Sequence, residues 1–277
     1  MSATTVTTPT DTSRDSRIPF SAVRDTLAIA QRNLITYRRV PQLLVFSTIQ
    51  PVIFVLMFRY VFGGAIVIPH FPYHYVDYLM PGVFVQTVVF GSLAAAIGLA
   101  TDLKSGLLER FRSLPMARSA VLTGRTLGDL TRNVFVVFLM LLVGFLVGFR
   151  IHTNVLGLLG GAGLVLLFGF SMSWIFATVG LTVGDPETAQ AAAFPILAPL
   201  LFASTAFVSV DNMPSWLRVF ASHQPVSVTV SAVRALFSGV SLTGTSTTTL
   251  VLQSIAWCLG ILIVFAPVAV RFYRRTV

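Results

Sequence analysis

Residues 156–183 read LGLLGGAGLVLLFGFSMSWIFATVGLTV, twenty-eight residues without a single charge. A helix crossing a hydrocarbon layer of roughly 30 Å needs about 20 predominantly apolar residues, so this run can span a bilayer with tilt to spare. Five further runs reach or approach that length, at 43–62, 79–100, 134–149, 189–210 and 250–270. Residues 119–133 also read as helix, which makes 134–149 the outer part of a longer rod. The fifth run contains Pro195 and Pro199, and each withdraws a backbone donor.

The whole composition agrees with that reading. Of 277 residues, 55% are hydrophobic and 10% charged, with mean hydropathy +0.83. A soluble domain carries about 25% charged residues, so too few are present here to coat a water-facing surface. The net charge of +9 comes from 19 basic and 10 acidic residues. The bases lie between apolar runs and form no single groove, which sets nucleic acid aside.

Fifteen of the 19 bases fall in the N-terminal tail, the connection after the second run and the C-terminus, leaving Arg59, Arg150, Arg218 and Arg234 for the other side. Basic loops stay inside, so both termini and that connection are expected to be cytoplasmic. The expected fold is an all-α polytopic membrane protein of six transmembrane helices in the cytoplasmic (inner) membrane. Residues 1–17 are rich in Ser, Thr and Asp and lack a signal-peptide core, so 1–19 are expected to be a disordered cytoplasmic tail.

Three features lie outside the runs. Phe20, Val23, Leu27, Ala30, Leu34 and Tyr37 recur at steps of three and four, with arginines elsewhere around the helix. This predicts an N-terminal interfacial amphipathic helix, either a plain anchor or a mechanical element. The connection DLKSGLLERFRSLP, residues 102–115, repeats the pattern at Leu103, Leu107, Leu108, Phe111 and Leu114, with Lys104, Glu109, Arg110 and Arg112 on its edge and Pro115 stopping it. Spacing alone fits a structural cap as well as a docking knob. The connection 211–249 holds two short helices opened by Pro214 and Pro225, the second closed by Gly239, and is expected to form an outer half-inserted hairpin.

Several chemistries lack their residues. The four histidines, His70, His74, His152 and His223, fall in outer connections, and no zinc-protease or serine-hydrolase motif is present. His70 and His74 are four apart, yet Pro69 and Pro72 argue against the helix a metal pair would need. All ten acids read as tail, connection or span-end residues, which weakens an ion-coupled mechanism. Asp185 and Glu187 are expected to cap the fifth span. Cys258, the lone cysteine, reads as a core residue. The pairs Gly144/Gly148, Gly157/Gly161 and Gly180/Gly184 read as internal packing. No phosphate-binding loop is present, so energy for uphill movement must arrive from another polypeptide.

The runs LERFRSLPMARSAVLTGR (108–125), MPSWLRVFASHQPVS (213–227) and AVRAL (232–236) resemble the membrane subunits of type-two ABC exporters, daunorubicin-resistance-type permeases of actinobacteria above all. The likeness covers nearly everything after residue 20, and implies one exporter transmembrane domain over 20–277. It implies a coupling helix at 107–115, from Leu107 and Leu108 to Pro115, received by a cleft in a separate ATPase subunit. Glu109, Arg110 and Arg112 would make its polar contacts, and Phe111 and Leu114 would hold it to the bundle. Trp216, Phe220, Gln224 and Pro225 would belong to an outer gate.

The resemblance further implies two permease subunits, copies or relatives of one another, with two ATPases, surrounded by membrane lipid. No cofactor would bind this chain directly, and ATP would act through the partner. Family cargo includes amphipathic drugs, lipids and glycans, hence drug efflux, antibiotic resistance or lipid transport. Phe54, Phe58, Phe84, Phe90, Phe194 and Phe202 suit an apolar cargo and serve equally as filler. The rivals are a membrane scaffold or assembly factor without transport, and an ion-coupled efflux carrier.

Overall fold

The computed structural model describes residues 42–62, 68, 71–107, 118–207 and 213–276. The N-terminal tail, the stripe from Phe20 to Tyr37 and most of the expected coupling helix lie outside them. Helix α1 is Gln42–Met57 and runs on as a π-helical turn, Phe58–Phe62. There follow α2 (Tyr75–Lys104), α3 (Arg118–Val147), α4 (Val155–Val183), α5 (Pro186–Phe202), α6 (Ser215–His223), α7 (Pro225–Ser238) and α8 (Thr247–Thr276), with no strand among the described residues.

Four of these are long and apolar enough to cross a membrane, over Tyr75–Lys104, Leu122–Val147, Val155–Val183 and Thr247–Arg274. The expected rod ahead of the third run is present: α3 begins at Arg118 and ends at Val147, two residues short of the boundary at 149. The fifth run departs from expectation, since α5 has 17 residues and ends at Phe202 instead of 210. Pro195 and Pro199 lie inside it, and after the Ala203 N–H bonds the Pro199 carbonyl the chain turns at Ser204. That turn frees Thr205 and Ala206 to engage other helices.

Helix ends follow local chemistry. Asn154 caps α4 by accepting from the Gly157 N–H at 2.9 Å, and Asp185 caps α5 through the Thr188 N–H at 3.1 Å. Pro225 opens α7 and Gly239 closes it at φ +73°. Gly148 and Gly184 hold left-handed backbone at helix ends and touch nothing across the bundle, unlike their partners in the small-residue pairs.

Those partners set how closely the helices approach. A Cβ on Gly180 would strike the Ala96 backbone, and one on Gly161 would strike the Phe237 ring. The Ser92 hydroxyl joins α2 to the Gly169 carbonyl of α4 at 3.0 Å. Small side chains thus let α2 and α4 pack along their length. The result is a core of Tyr78, Phe84, Phe149, Phe168 and Phe176, all almost fully buried. Cys258 is buried in the same core. Phe54 and Phe58 stack on each other at 5.0 Å and both meet Phe207, whereas Phe194 and Phe202 face outward.

Register gives the direction of each helix. Gly91 lies against Arg132 and Gly98 against Arg125, so α3 opposes α2. Asp77 meets His152 at one end of the bundle and Gly180 meets Ala96 further along, so α4 runs with α2. Leu99, Leu122, Trp174, Leu181, Ala269 and Tyr273 cluster near the Lys104 end, which places the C-terminal turns of α8 there too. The α5 helix starts beside Lys104 and returns toward Tyr78. In α1, Gln50 shares a cavity with Gly91 and Phe58 stacks on Phe207 nearer the Tyr75 end, so six segments alternate in sense, with α6 and α7 between α5 and α8 at the Tyr75 end. The α7 helix is buried against α2, α4 and α8 over most of its surface.

Candidate functional site

At one end of the bundle three helices meet the start of the α2–α3 connection. The last turn of α2 carries Asp102 and Lys104, and each is tied to a different neighbour. Asp102 pairs with Arg125 of α3, both partly buried. The guanidinium reaches it because it passes over Gly98, where a Cβ would collide with it. Lys104 Nζ donates to Asp185 Oδ1 at 2.7 Å, on the residue that caps α5. The hydrogen bond from Lys104 comes first in holding the Asp185 carboxyl down to about 2, and the Thr188 amide and hydroxyl add to it. Stability from this cap is therefore complete above the ordinary carboxylate range and is lost only as pH falls through about 2.

Past Lys104 the helix breaks. Ser105 forms the cap and Gly106 takes φ +66°. The stretch 102–115 is accordingly not one helix: Leu103 and Lys104 belong to α2, because the α2 backbone ladder continues past the last apolar residue until Gly106 stops it. Lys104 is spent on Asp185 and is no edge residue of the connection. Leu107 follows the turn, half-buried. Leu108, Glu109, Arg110, Phe111, Arg112, Leu114 and Pro115 lie outside the described residues.

The opposite end holds the expected gate residues, and they divide into two groups. Trp216 is 75% exposed and Phe220 48%, both on the outer face of α6. Gln224 is buried and its Nε2 donates to the Ala203 carbonyl, while Pro225 begins α7. The first pair faces away from the bundle, and the second joins α7 to the end of α5.

Sequence reasoning missed the polar residues that fix this end. Arg234, counted as an outer charge, is only 4% exposed. Its Nε donates to the Tyr78 carbonyl and its Nη2 to the Thr205 carbonyl, each at 3.1 Å, and its guanidinium sits 3.7 Å over the Tyr78 ring. Asp77 accepts from the Arg150 N–H at 2.8 Å and lies 3.1 Å from His152 Nε2, with Tyr73 stacked on the imidazole at 3.5 Å. The signal available was a lone charge inside an apolar helix, which marks function by default.

The same signal applies to α3. Arg132 and Asp129, assigned from sequence to a cytoplasmic connection, are 8% and 3% exposed. Asp129 lies within the apolar stretch Leu122–Val147, which corrects the reading that every acid sits outside the spans. The rod extends far enough to carry both residues in among its neighbours.

Long apolar helices packed in alternating sense, with charges paired at one end and buried against carbonyls at the other, define a multi-pass α-helical membrane protein. The model for the ABC-2 type transporter family matches residues 24–238, and the chain belongs to that family. It is similar to the daunorubicin resistance ABC transporter permease protein DrrB1 of Streptomyces coeruleorubidus, 37% identical over 255 residues, or 92% of this chain and 88% of the relative. The probable doxorubicin resistance ABC transporter permease protein DrrC of Mycobacterium tuberculosis is 26% identical over 256 residues, covering 92% and 90%. The putative transport permease ycf38 of Cyanophora paradoxa is 26% identical over 221 residues, covering 79% and 76%.

Proposed function

We propose that this chain is the membrane-spanning permease subunit of an ATP-driven exporter in the cytoplasmic membrane, moving an amphipathic or hydrophobic cargo outward. Its energy comes from a separate ATPase subunit, and a second permease, copy or relative, completes the path. The chain hydrolyses nothing and binds ATP only through that partner. Relatives named for daunorubicin and doxorubicin resistance point to a drug-like cargo. Six crossings fit the alternating sense of α1–α5 and α8, the two shorter ones, α1 and α5, being supplemented by flanking turns. Both termini and the α2–α3 connection then face the cytoplasm, and α6–α7 form a half-inserted hairpin on the outer side.

The observation that carries the reading is the pair of ion pairs around the turn at Ser105–Gly106. A push on the coupling segment, residues 107–115, enters α2 directly. Through Arg125 it reaches α3, and through Lys104 and Asp185 it reaches α5. One input thus moves three helices together. Arg110, Arg112 and Glu109 dock on the ATPase, where charge-assisted contacts set orientation, and Phe111 and Leu114 seat the segment. At the far end Trp216 and Phe220 meet lipid or the second permease, while Gln224 and Pro225 pass movement of α5 to α7.

Reversing charge with Arg110→Glu and Arg112→Glu, in cells carrying the ATPase subunit, tests this. Loss of both ATPase association and dye efflux is expected. Efflux and association both undiminished would overturn the docking assignment, and association without any efflux in the unaltered chain would favour a scaffold.

A further inference from the structure

A cavity of about 180 Å³ opens between α1, α2 and α3, lined by Gln50, Phe54, Gln86, Phe90, Arg132 and Asn133 among others. Gly91, beside it, lies midway between the ends of α2, so the cavity sits at the middle depth of the bundle. Three of its polar side chains are more than nine-tenths buried: Gln86 at 6%, Arg132 at 8% and Asn133 at 2% exposed. Each also keeps a buried atom without a hydrogen-bond partner, namely Gln86 Oε1, Arg132 Nε and Asn133 Nδ2.

Arg132 is the unusual member. Its guanidinium donates to the Gly91 carbonyl and, at 3.2 Å, to Asn133 Oδ1, and among the described residues it forms no ion pair. Burying a cation with no direct ion pair, the nearest acid on α3 being the buried Asp129 one turn away, costs several kcal/mol even after relaxation, and apolar side chains of the same volume would be cheaper. The fold nonetheless makes room for it. A Cβ on Gly91 would stand 2.7 Å from both Arg132 Nη2 and Asn133 Oδ1. The lining also includes two aromatic side chains, Phe54 of α1 and Phe90 of α2, and Gln50 is exposed. A cavity of roughly 150 Å³ holds a benzene ring, so this one takes a ring-sized group.

We infer that this cavity is a binding site for an aromatic anion, its oxygen resting against the Arg132 guanidinium and its ring between Phe54 and Phe90. The inference deepens the exporter reading by naming where the oxygen-bearing end of a cargo rests, and it depends on that reading for its role. Gln86 Oε1 supplies an acceptor beside the site for a hydroxyl or amide of the same molecule.

The test uses the purified full chain in phosphatidylcholine nanodiscs, titrated by fluorescence with 2-naphthoate and with 2-naphthylmethylammonium, against empty nanodiscs. Saturable binding of the naphthoate alone is expected. Arg132→Gln is expected to weaken it about tenfold or more, the equivalent of one charge-assisted hydrogen bond. Equal affinity in Arg132→Gln, equal binding of the ammonium, or uptake no greater than by empty discs would overturn the site, leaving a cavity that holds water only. Should Arg132→Gln fail to fold, Arg132→Lys keeps the charge and removes the fork. A several-fold loss with the anion still preferred is expected there, and unchanged affinity would overturn the assignment. Binding needs neither ATP nor a partner. A chain that binds naphthoate but exports nothing beside its ATPase would refute the exporter reading and leave the site standing.

Discussion

Single residues in this bundle matter through what stands one atom away. Gly180 and Gly163 lie on the same helix, yet a methyl group at 180 meets Ala96 backbone, which cannot move aside, and one at 163 meets open space. Gly180→Ala is expected to cost about 1–3 kcal/mol by overpacking, and Gly163→Ala to leave stability unchanged or raise it by up to about 1 kcal/mol through helix propensity; thermal unfolding in detergent checks both. Lys104 acts on charge instead of volume. Lys104→Gln removes the first cause of the depressed Asp185 pKa and is expected to move that carboxyl upward from about 2 toward its ordinary range, as carboxyl-carbon NMR would record. The pH at which the α5 cap is lost then rises in step.

Elements show what was legible from sequence and what was not. Among the described residues the apolar runs located each long helix, because a buried or lipid-facing helix must be apolar over some 20 residues. They misplaced the ends of the second run, since hydropathy stops at the first polar residue while the backbone ladder continues: Tyr75–Tyr78 and Thr101–Lys104 are helical, whereas the helix read at 119–133 is present as expected. The two short helices α6 and α7 were legible from Pro214, Pro225 and Gly239, whose local chemistry is the same wherever they occur. Arg234 and Arg132 were not, because their partners are carbonyls 156 and 41 residues away. No local pattern carries that information.

Of the proposed site, the gate residues Gln224 and Pro225 are brought to the α5–α7 junction, whereas Trp216 and Phe220 face outward. Arg234→Met would remove the bonds to the Tyr78 and Thr205 carbonyls and is expected to cost about 2–4 kcal/mol in thermal stability, with α7 the first segment to gain hydrogen exchange. Asp102→Asn attacks the other end. It is expected to cost only about 1 kcal/mol in stability, while efflux falls several-fold with ATPase association intact, because α3 no longer follows α2.

The molecule as a whole is a bundle with two chemically different ends. One carries paired charges and the break before Leu107; the other carries a buried arginine and an apolar hairpin. The sequence has no phosphate loop with which to use ATP, so the energy for movement is expected from a separate subunit. Its single cysteine, Cys258, is buried, so introduced cysteines report alone. Arg112→Cys is expected to react with an impermeant maleimide only from the cytoplasmic side, and Trp216→Cys only from the outer side. The most direct measurement is reconstitution of the purified chain into proteoliposomes, with and without its ATPase subunit, following release of a fluorescent amphipathic drug. Transport is expected only when the ATPase subunit and ATP are both present, and transport by the chain alone would contradict a permease driven by a partner.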